Sequence, residues 1–273
     1  MMRISRIGKP LKTPTNVDSL YVFTVAFNKE DLIRKQYELL KKHLKDKNFH
    51  YIVADNSCKQ KRPTIRNLCK ELGIEYISIP KYIHFCALTR LFYNGMSHGA
   101  ALNYLFFHYI APLNPPYFAI IDHDMFLLKD YNFKAKLTEE KNKDFYGAER
   151  KRGETWYLWP GFAIFNMSVF ENIRPNFLPY FNKERMFCDA GSKNYIQLYK
   201  HYDYDKSSFA HCDTRRIKVT KGLKTWNEIF HSDFIHIIDH CWLHLINGSN
   251  YAKTKGKEKT IQTLLRNLEK IKI

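Results

Sequence analysis

Two carboxylates, Asp122 and Asp124, stand inside an apolar run, Ile120-Ile121-Asp122-His123-Asp124-Met125-Phe126-Leu127. Like charges this close in an apolar setting are costly, and without partners one carboxyl would have to stay protonated. A divalent cation removes the conflict. Residues i and i+2 at a strand end can point the same way, so both carboxylates can reach one ion. Hard oxygen ligands suit Mn2+ or Mg2+, and such an ion commonly keeps substrate phosphates as further ligands. The structural alternative is a strand end with one Asp on backbone N–H groups and the other in solvent.

Three other stretches carry groups that can do chemistry. Residues 234–244 (FIHIIDHCWLH) are rich in histidine. His236, His240 and His244, at i, i+4 and i+8, would line one face of a helix as zinc ligands. Residues 234–238 read as a strand, however, and no Glu stands beside a His pair, so a zinc helix is not expected. Asp189, in Cys188-Asp189-Ala190-Gly191-Ser192, stands beside small residues at an expected helix start. A general base and a helix N-cap both call for an Asp there. If it is a cap, the base is to be sought among Glu149, Glu154 and Asp213. Asp203-Tyr204-Asp205 repeats the Asp-x-Asp pattern, but in a polar stretch with no strand before it, and is expected to be a solvated loop.

These groups need a frame. Residues 21–27 (YVFTVAF), 51–54 (YIVA), 74–79 and 117–121 are short apolar, β-rich runs, and helical patterns separate them. The first helix carries Leu32, Ile33, Gln36, Leu40 and Leu44 at helical spacing, with Asn28 as its expected N-cap. Gly73 is expected to stop the second. A third helix is expected over 96–109. This alternation predicts an α/β fold with a mostly parallel, Rossmann-like sheet and helices on both faces. Ligands of such sheets lie beyond the carboxyl ends of the strands, where Asn28, Asp55 and Asp122 fall. Residues 18–130 make one half and 131–252 an elaborated second half of the same domain. Residues 253–273 form a basic amphipathic helix with Ile261, Leu264, Leu265, Leu268 and Ile271 in one stripe.

The ordered set Thr24-Val25-Ala26-Phe27-Asn28, Ile52-Val53-Ala54-Asp55, Gly99-Ala100-Ala101-Leu102-Asn103 and Asp122-His123-Asp124 resembles the GT-A fold glycosyltransferases, family 2 in particular. His98 stands where that family more often has a small or basic residue. The resemblance implies a metal-dependent glycosyltransferase using a nucleoside diphosphate sugar, with UDP favoured, and inverting at the anomeric carbon. Thr24 and Asn28 would line the nucleotide pocket, Asp55 would accept from the base, and Asp122 and Asp124 would hold the metal bridging the diphosphate. Arg90 would help neutralise phosphate. A late His completes such metal sites, with His244 first and His240 next. Asp189 matches the general base, and Trp159-Pro160-Gly161-Phe162 looks like the acceptor-side segment. Phe162, Phe165 and Phe170 fit core packing, and Trp156 and Trp159 fit either role. The implied acceptor is a glycan or a lipid-linked one.

Composition bounds the alternatives. A hydrophobic fraction of 45% excludes disorder. The net charge of +17 favours anionic ligands without choosing among them. The aromatic and basic residues are too dispersed for a nucleic-acid motif, so a non-catalytic nucleic-acid-binding protein is the weaker reading. A sugar-phosphate nucleotidyltransferase would need a Gly-rich basic loop where Asn28-Lys29-Glu30-Asp31 stands. Six scattered cysteines and no apolar leader suggest reduced thiols and a cytoplasmic protein, with peripheral membrane contact possible through the C-terminal helix.

Overall fold

Alternate residues of the first strand, β1 (Leu20–Ala26), face two different cores. Leu20, Val22 and Ala26 join one apolar cluster, and Tyr21, Phe23 and Val25 the other. A strand buried on both faces does this, because successive side chains point to opposite sides of the sheet. The computed structural model describes residues 19–46, 48–85, 95–139, 144–217, 229, 233–246 and 257–271.

In it β1 pairs in parallel with β2 (Phe49–Asp55) and β4 (Tyr117–Asp122), and β3 (Glu75–Ser78) pairs in parallel with β2. Two long antiparallel strands, β7 (Thr155–Asn166) and β6 (Phe145–Arg152), complete the order β3-β2-β1-β4-β7-β6. This is the mostly parallel α/β sheet expected from the alternation. The aromatic run at 156–170, in which no strand was expected, supplies β7. Its inward residues Phe162 and Ile164 pack on one face and Ala163 and Phe165 on the other.

On one face lie α1 (Glu30–His43) and α2 (Arg62–Leu72), which Gly73 ends in the left-handed conformation at φ 67°. After the short α3 (Lys81–Phe85), α4 (Met96–Leu105) covers the other face. It continues through a π-helical turn into α5 (Ala111–Leu113). Asn28 is not the N-cap of α1. That position is Lys29, while Asn28 holds a φ of 60°.

A second, antiparallel sheet has the order β10-β11-β12-β5, formed by Cys212–Arg216, Phe234–Ile238, Trp242–Leu245 and Met125–Leu127. It joins the two halves, because β5 precedes residue 130 and its partner β12 follows residue 240. A two-stranded ribbon, β8 (Tyr180–Phe181) and β9 (Phe187–Cys188), and α6 (Phe133–Glu139) complete the middle of the chain. The described cysteines Cys58, Cys69, Cys188, Cys212 and Cys241 are unpaired thiols. Among the described residues no helix is long and apolar enough to cross a membrane.

The last helix, α7 (Lys257–Asn267), corrects the membrane expectation. Ile261, Leu264, Leu265 and Leu268 are buried against Leu32 and Leu39 of α1 and against Ile235, Ile237, Leu243 and Leu245 of the second sheet. The apolar stripe is core, so it offers no face to a lipid. Ion pairs Lys29–Glu258 and Lys42–Glu269 flank the contact. Burying four such side chains contributes about 6–12 kcal/mol at ~1.5–3 each, comparable to a whole domain's net stability of about 5–15 kcal/mol. Deleting residues 257–271 is therefore expected to leave no cooperative thermal transition. A soluble, cooperatively melting truncated chain would show the helix to be an appendage.

Candidate functional site

Asp122 ends β4 and Met125 begins β5, with His123 and Asp124 in the tight turn between them. Gln36, fully buried on α1, fastens that turn. Its amide nitrogen donates to the carbonyls of Asp122 and Met125, both at 2.7 Å, and its oxygen accepts from the Tyr51 hydroxyl at 2.5 Å. Helical spacing places Gln36 on the buried face without revealing what it binds. Gln36→Leu is expected to leave these partners unsatisfied and to lower stability by about 2–4 kcal/mol, since each orphaned buried group costs ~1–3. Chemical denaturation measures it, and a change under 1 kcal/mol by the same scale would mean that the turn holds without Gln36.

The second sheet brings the imidazole. In the β5–β12 register Met125 faces His244, and the Leu245 N–H donates to the Asp124 carbonyl at 3.0 Å. His244 Nε2 then lies 3.6 Å from Asp124 Oδ1. Ligand atoms of Asp122, Asp124 and His244 all fall within 4.8 Å of one another. His123, between the two carboxylates, turns away, with Nδ1 3.1 Å from the Val25 carbonyl. Burial first, and His98 second, push it down to about 4, which keeps it neutral.

Asp122 Oδ1 is buried without a hydrogen bond. It faces His98 Nε2 at 3.5 Å, which is equally without one. Burial pushes the Asp122 carboxyl up, and His98 and Arg150 oppose that. An orphaned carboxylate oxygen converging with a second carboxylate and an imidazole fits a divalent cation, whose charge two carboxylates balance. These three residues fit the Mn2+ or Mg2+ expected from the sequence.

His240 stands outside this cluster. It occupies the β11–β12 turn at φ 55°, with its ring 4.9 Å from that of His211. His236 lies directly across from His244 in the β11–β12 register, with Nδ1 3.1 Å from His244 Nδ1. The three histidines therefore lie on a hairpin, not along a helix. Burial and then Arg150 push His236 down to about 4. A neutral His236 can accept the His244 Nδ1–H, a tautomer inferred from the contact, which leaves the Nε2 lone pair turned to the carboxylates. Trp159 packs on His244 at 4.7 Å, and the Arg150 guanidinium lies 5.1 Å over the indole. Gly161 makes room for that indole, which any Cβ there would overlap. Pro160-Gly161 thus lies within a strand and forms no turn.

Asp189 follows β9. Its N–H donates to the Tyr157 hydroxyl at 3.0 Å, and its Oδ1 accepts from the Ala190 N–H at 2.7 Å. The next helical turn, Ser192–Tyr195, is capped by Gly191, so Asp189 is not its N-cap. Both ends of α4 meet this region. Asn103 Oδ1 accepts from the Phe177 N–H at 2.7 Å, and a Cβ on Gly95, whose φ is 83°, would overlap the Asp189 carboxylate. Asp189 is exposed, between the buried Cys188 and Ala190. Desolvation raises its carboxyl, the negative charge of Asp122 adds to that, and the Ala190 N–H, His98 and Arg150 oppose. The charge of Asp122 thus reaches the Asp189 carboxyl.

Other residues expected here have structural partners. Asp55 is fully buried and accepts from the Ser57 N–H at 2.9 Å and the Tyr76 hydroxyl at 2.8 Å. Asn28 accepts from the Cys58 N–H at 3.0 Å, tying the ends of β1 and β2. Thr24 is buried in mid-strand with an unpartnered hydroxyl. Arg90 lies outside the described residues. Asp203 accepts from the Asp205 N–H and pairs with Lys206, as a surface loop would. Gln36, His98, Arg150 and His236 were not expected here. For Arg150 the only sequence signal is the charged end of an edge strand.

No protein-family model matches the sequence, and no curated protein is similar to it in sequence. Among solved structures, the chain is similar to the mannosyltransferase Ktr4p from S. cerevisiae, with 10% identity over 63% of this chain and 61% of that one, at a TM-score of 0.38. For a galactosyltransferase LgtC in complex with donor and acceptor sugar analogs the values are 13%, 54%, 58% and 0.38. For the mannosyltransferase PcManGT from Pyrobaculum calidifontis in complex with GDP-Man and Mn2+ they are 14%, 60%, 49% and 0.36. The chain spans less than two thirds of each, and these overlaps are partial.

Proposed function

We propose that this chain is a metal-dependent GT-A glycosyltransferase that moves a sugar from a nucleoside diphosphate sugar to an acceptor hydroxyl with inversion. The observation that carries this reading is the convergence of Asp122, Asp124 and His244, with Asp122 Oδ1 buried without a hydrogen bond and facing His98 Nε2 at 3.5 Å. Asp122, Asp124 and His244 would hold Mn2+ or Mg2+, which when bound neutralises charge on a diphosphate leaving group.

The nucleotide lies across the carboxyl ends of β1, β2 and β4, where Asn28 and Asp55 shape the floor. Asp55 already accepts from Ser57 and Tyr76, one bond per oxygen, and each oxygen keeps a lone pair that a base N–H could use once it reaches this buried carboxylate. Asp189 takes the proton of the acceptor hydroxyl while that oxygen attacks the anomeric carbon, on the face opposite the departing diphosphate. One C–O bond forms as the other breaks, and the configuration inverts. A nucleotidyltransferase is disfavoured because α1 begins at Glu30, directly after Phe27-Asn28-Lys29, with no phosphate loop.

The test is to incubate the chain with UDP-, GDP- and dTDP-sugars and Mn2+, following nucleotide release and melting temperature. Release that one nucleotide class supports and chelator stops is expected, with a matching rise in melting temperature. Release undiminished in excess chelator, or none with any donor, defeats the reading.

A further inference from the structure

A cavity of about 430 Å3 opens between β6, β10 and β11, lined by Glu149, Arg150, Phe209, His211, Thr214 and His236. The transfer step described above uses none of its lining except the support that His236 gives His244. Its size is that of cavities holding small organic ligands. The shared wall at His236, 3.1 Å from His244, sets it beside the metal cluster.

Arg150 decides what it would hold. A bulge between Gly147 and Glu149 re-aims this end of β6. The half-buried guanidinium lies on Trp159, and Nη1 donates to the Glu149 carbonyl. Among the described residues no carboxylate stands within ion-pair reach of it. The Glu149 carboxylate turns to the Tyr204 hydroxyl, with Oε2 accepting at 2.7 Å, and makes no ion pair with Arg150. Arginine presents five donors in a planar fork that suits a carboxylate or phosphate, and most of that fork is unused. Its charge acts on the Asp122 and Asp189 carboxyls without pairing directly with either, so the guanidinium donors on the cavity side stay open to an anion. Around it, Glu149, Thr214 and the imidazoles offer partners to hydroxyls, and Phe209 offers an apolar face.

We propose that this cavity binds an acidic saccharide, with its carboxylate or phosphate on Arg150, and that this saccharide is the acceptor. Its role as acceptor rests on the glycosyl-transfer reading, whereas the binding itself does not.

The experiment uses the whole chain in chelator, so that no anion is held by a metal. Methyl glucuronide, glucose 6-phosphate and methyl glucoside are titrated calorimetrically. One of the acids is expected to bind about tenfold or more tightly than the neutral glucoside, the difference that a charge-assisted pair makes. Which acid prevails identifies the anion. Arg150→Gln should erase the preference, and Arg150→Lys should keep part of it. Cys212, on the cavity wall, gives a local readout in the parent protein. The bound acid should slow its alkylation and leave that of Cys58 unchanged.

Equal affinity for acid and glucoside, no binding of either acid, or binding without protection of Cys212 overturns the proposal. So does an Arg150→Gln variant that loses Mn2+-dependent nucleotide binding, because the guanidinium would then serve the donor. If the variant does not fold, the parent protein's preference and footprint decide. Nucleotide release from sugar donors in Mn2+ is scored separately, so acid binding without release defeats the transfer reading and leaves the cavity's ligand in place.

Discussion

Asp124→Ala is expected to abolish Mn2+-dependent nucleotide binding and to lower sugar transfer by about a thousandfold or more. A metal that neutralises a leaving diphosphate contributes several kcal/mol, and each ~1.4 kcal/mol is a factor of ten. The substitution removes one of the two carboxylates, Asp122 and Asp124, that crowd each other beside His244. The metal-free melting temperature should therefore stay within a few degrees of the parent's, while the rise that Mn2+ produces disappears. Calorimetric Mn2+ titration and melting curves separate the two effects. A variant that binds Mn2+ and turns over like the parent would remove Asp124 from the metal site. His244→Ala should weaken Mn2+ binding less, because both carboxylates remain, and an unchanged titration would exclude His244 as a ligand.

Asp189→Asn should leave donor binding intact and lower transfer by about two to four orders of magnitude, the usual contribution of a positioned base. Asparagine keeps the oxygen that accepts from the Ala190 N–H, so the local turn persists. Desolvation raises the Asp189 carboxyl, so the folded state holds that proton above the usual carboxylate range. Stability contributed by this group is present at low pH and falls as pH rises through that window. At neutral pH the Asn variant should therefore melt no lower than the parent. Activity should show the opposite slope, falling as pH drops and the base is protonated, with the acid limb displaced upward and missing in the variant. Transfer at near the parental rate would make Asp189 structural. Attention would then pass to Glu149, because Glu154 is exposed and Asp213 already pairs with His211 at 3.0 Å.

Local pattern carried much of this molecule. β-Branched and aromatic runs separated by helical spacing implied the parallel strands, because burial on one or two faces leaves its period in the chain. Asp122 and Asp124 were legible as a pair because two charges in an apolar run need a shared partner, and both come from one turn. The ranking of His244 over His240 came from the family resemblance. The β5–β12 register sets His244 opposite Met125, beside the two carboxylates, and leaves His240 in a turn.

Gln36, Arg150 and His236 acquire their roles from partners on other elements, and no local periodicity encodes which partner that will be. Asp55 shows the converse. Its position at a strand end is local, but the Tyr76 bond that occupies it comes from a neighbouring strand. The stripe of α7 is the same kind of case. An amphipathic face is written in the chain, but whether it meets lipid, a second subunit or its own domain depends on what the fold leaves uncovered. Here α1 and the second sheet present the apolar surface that takes it. Periodicity records that a side chain is buried, and only tertiary packing selects the group against which it is buried.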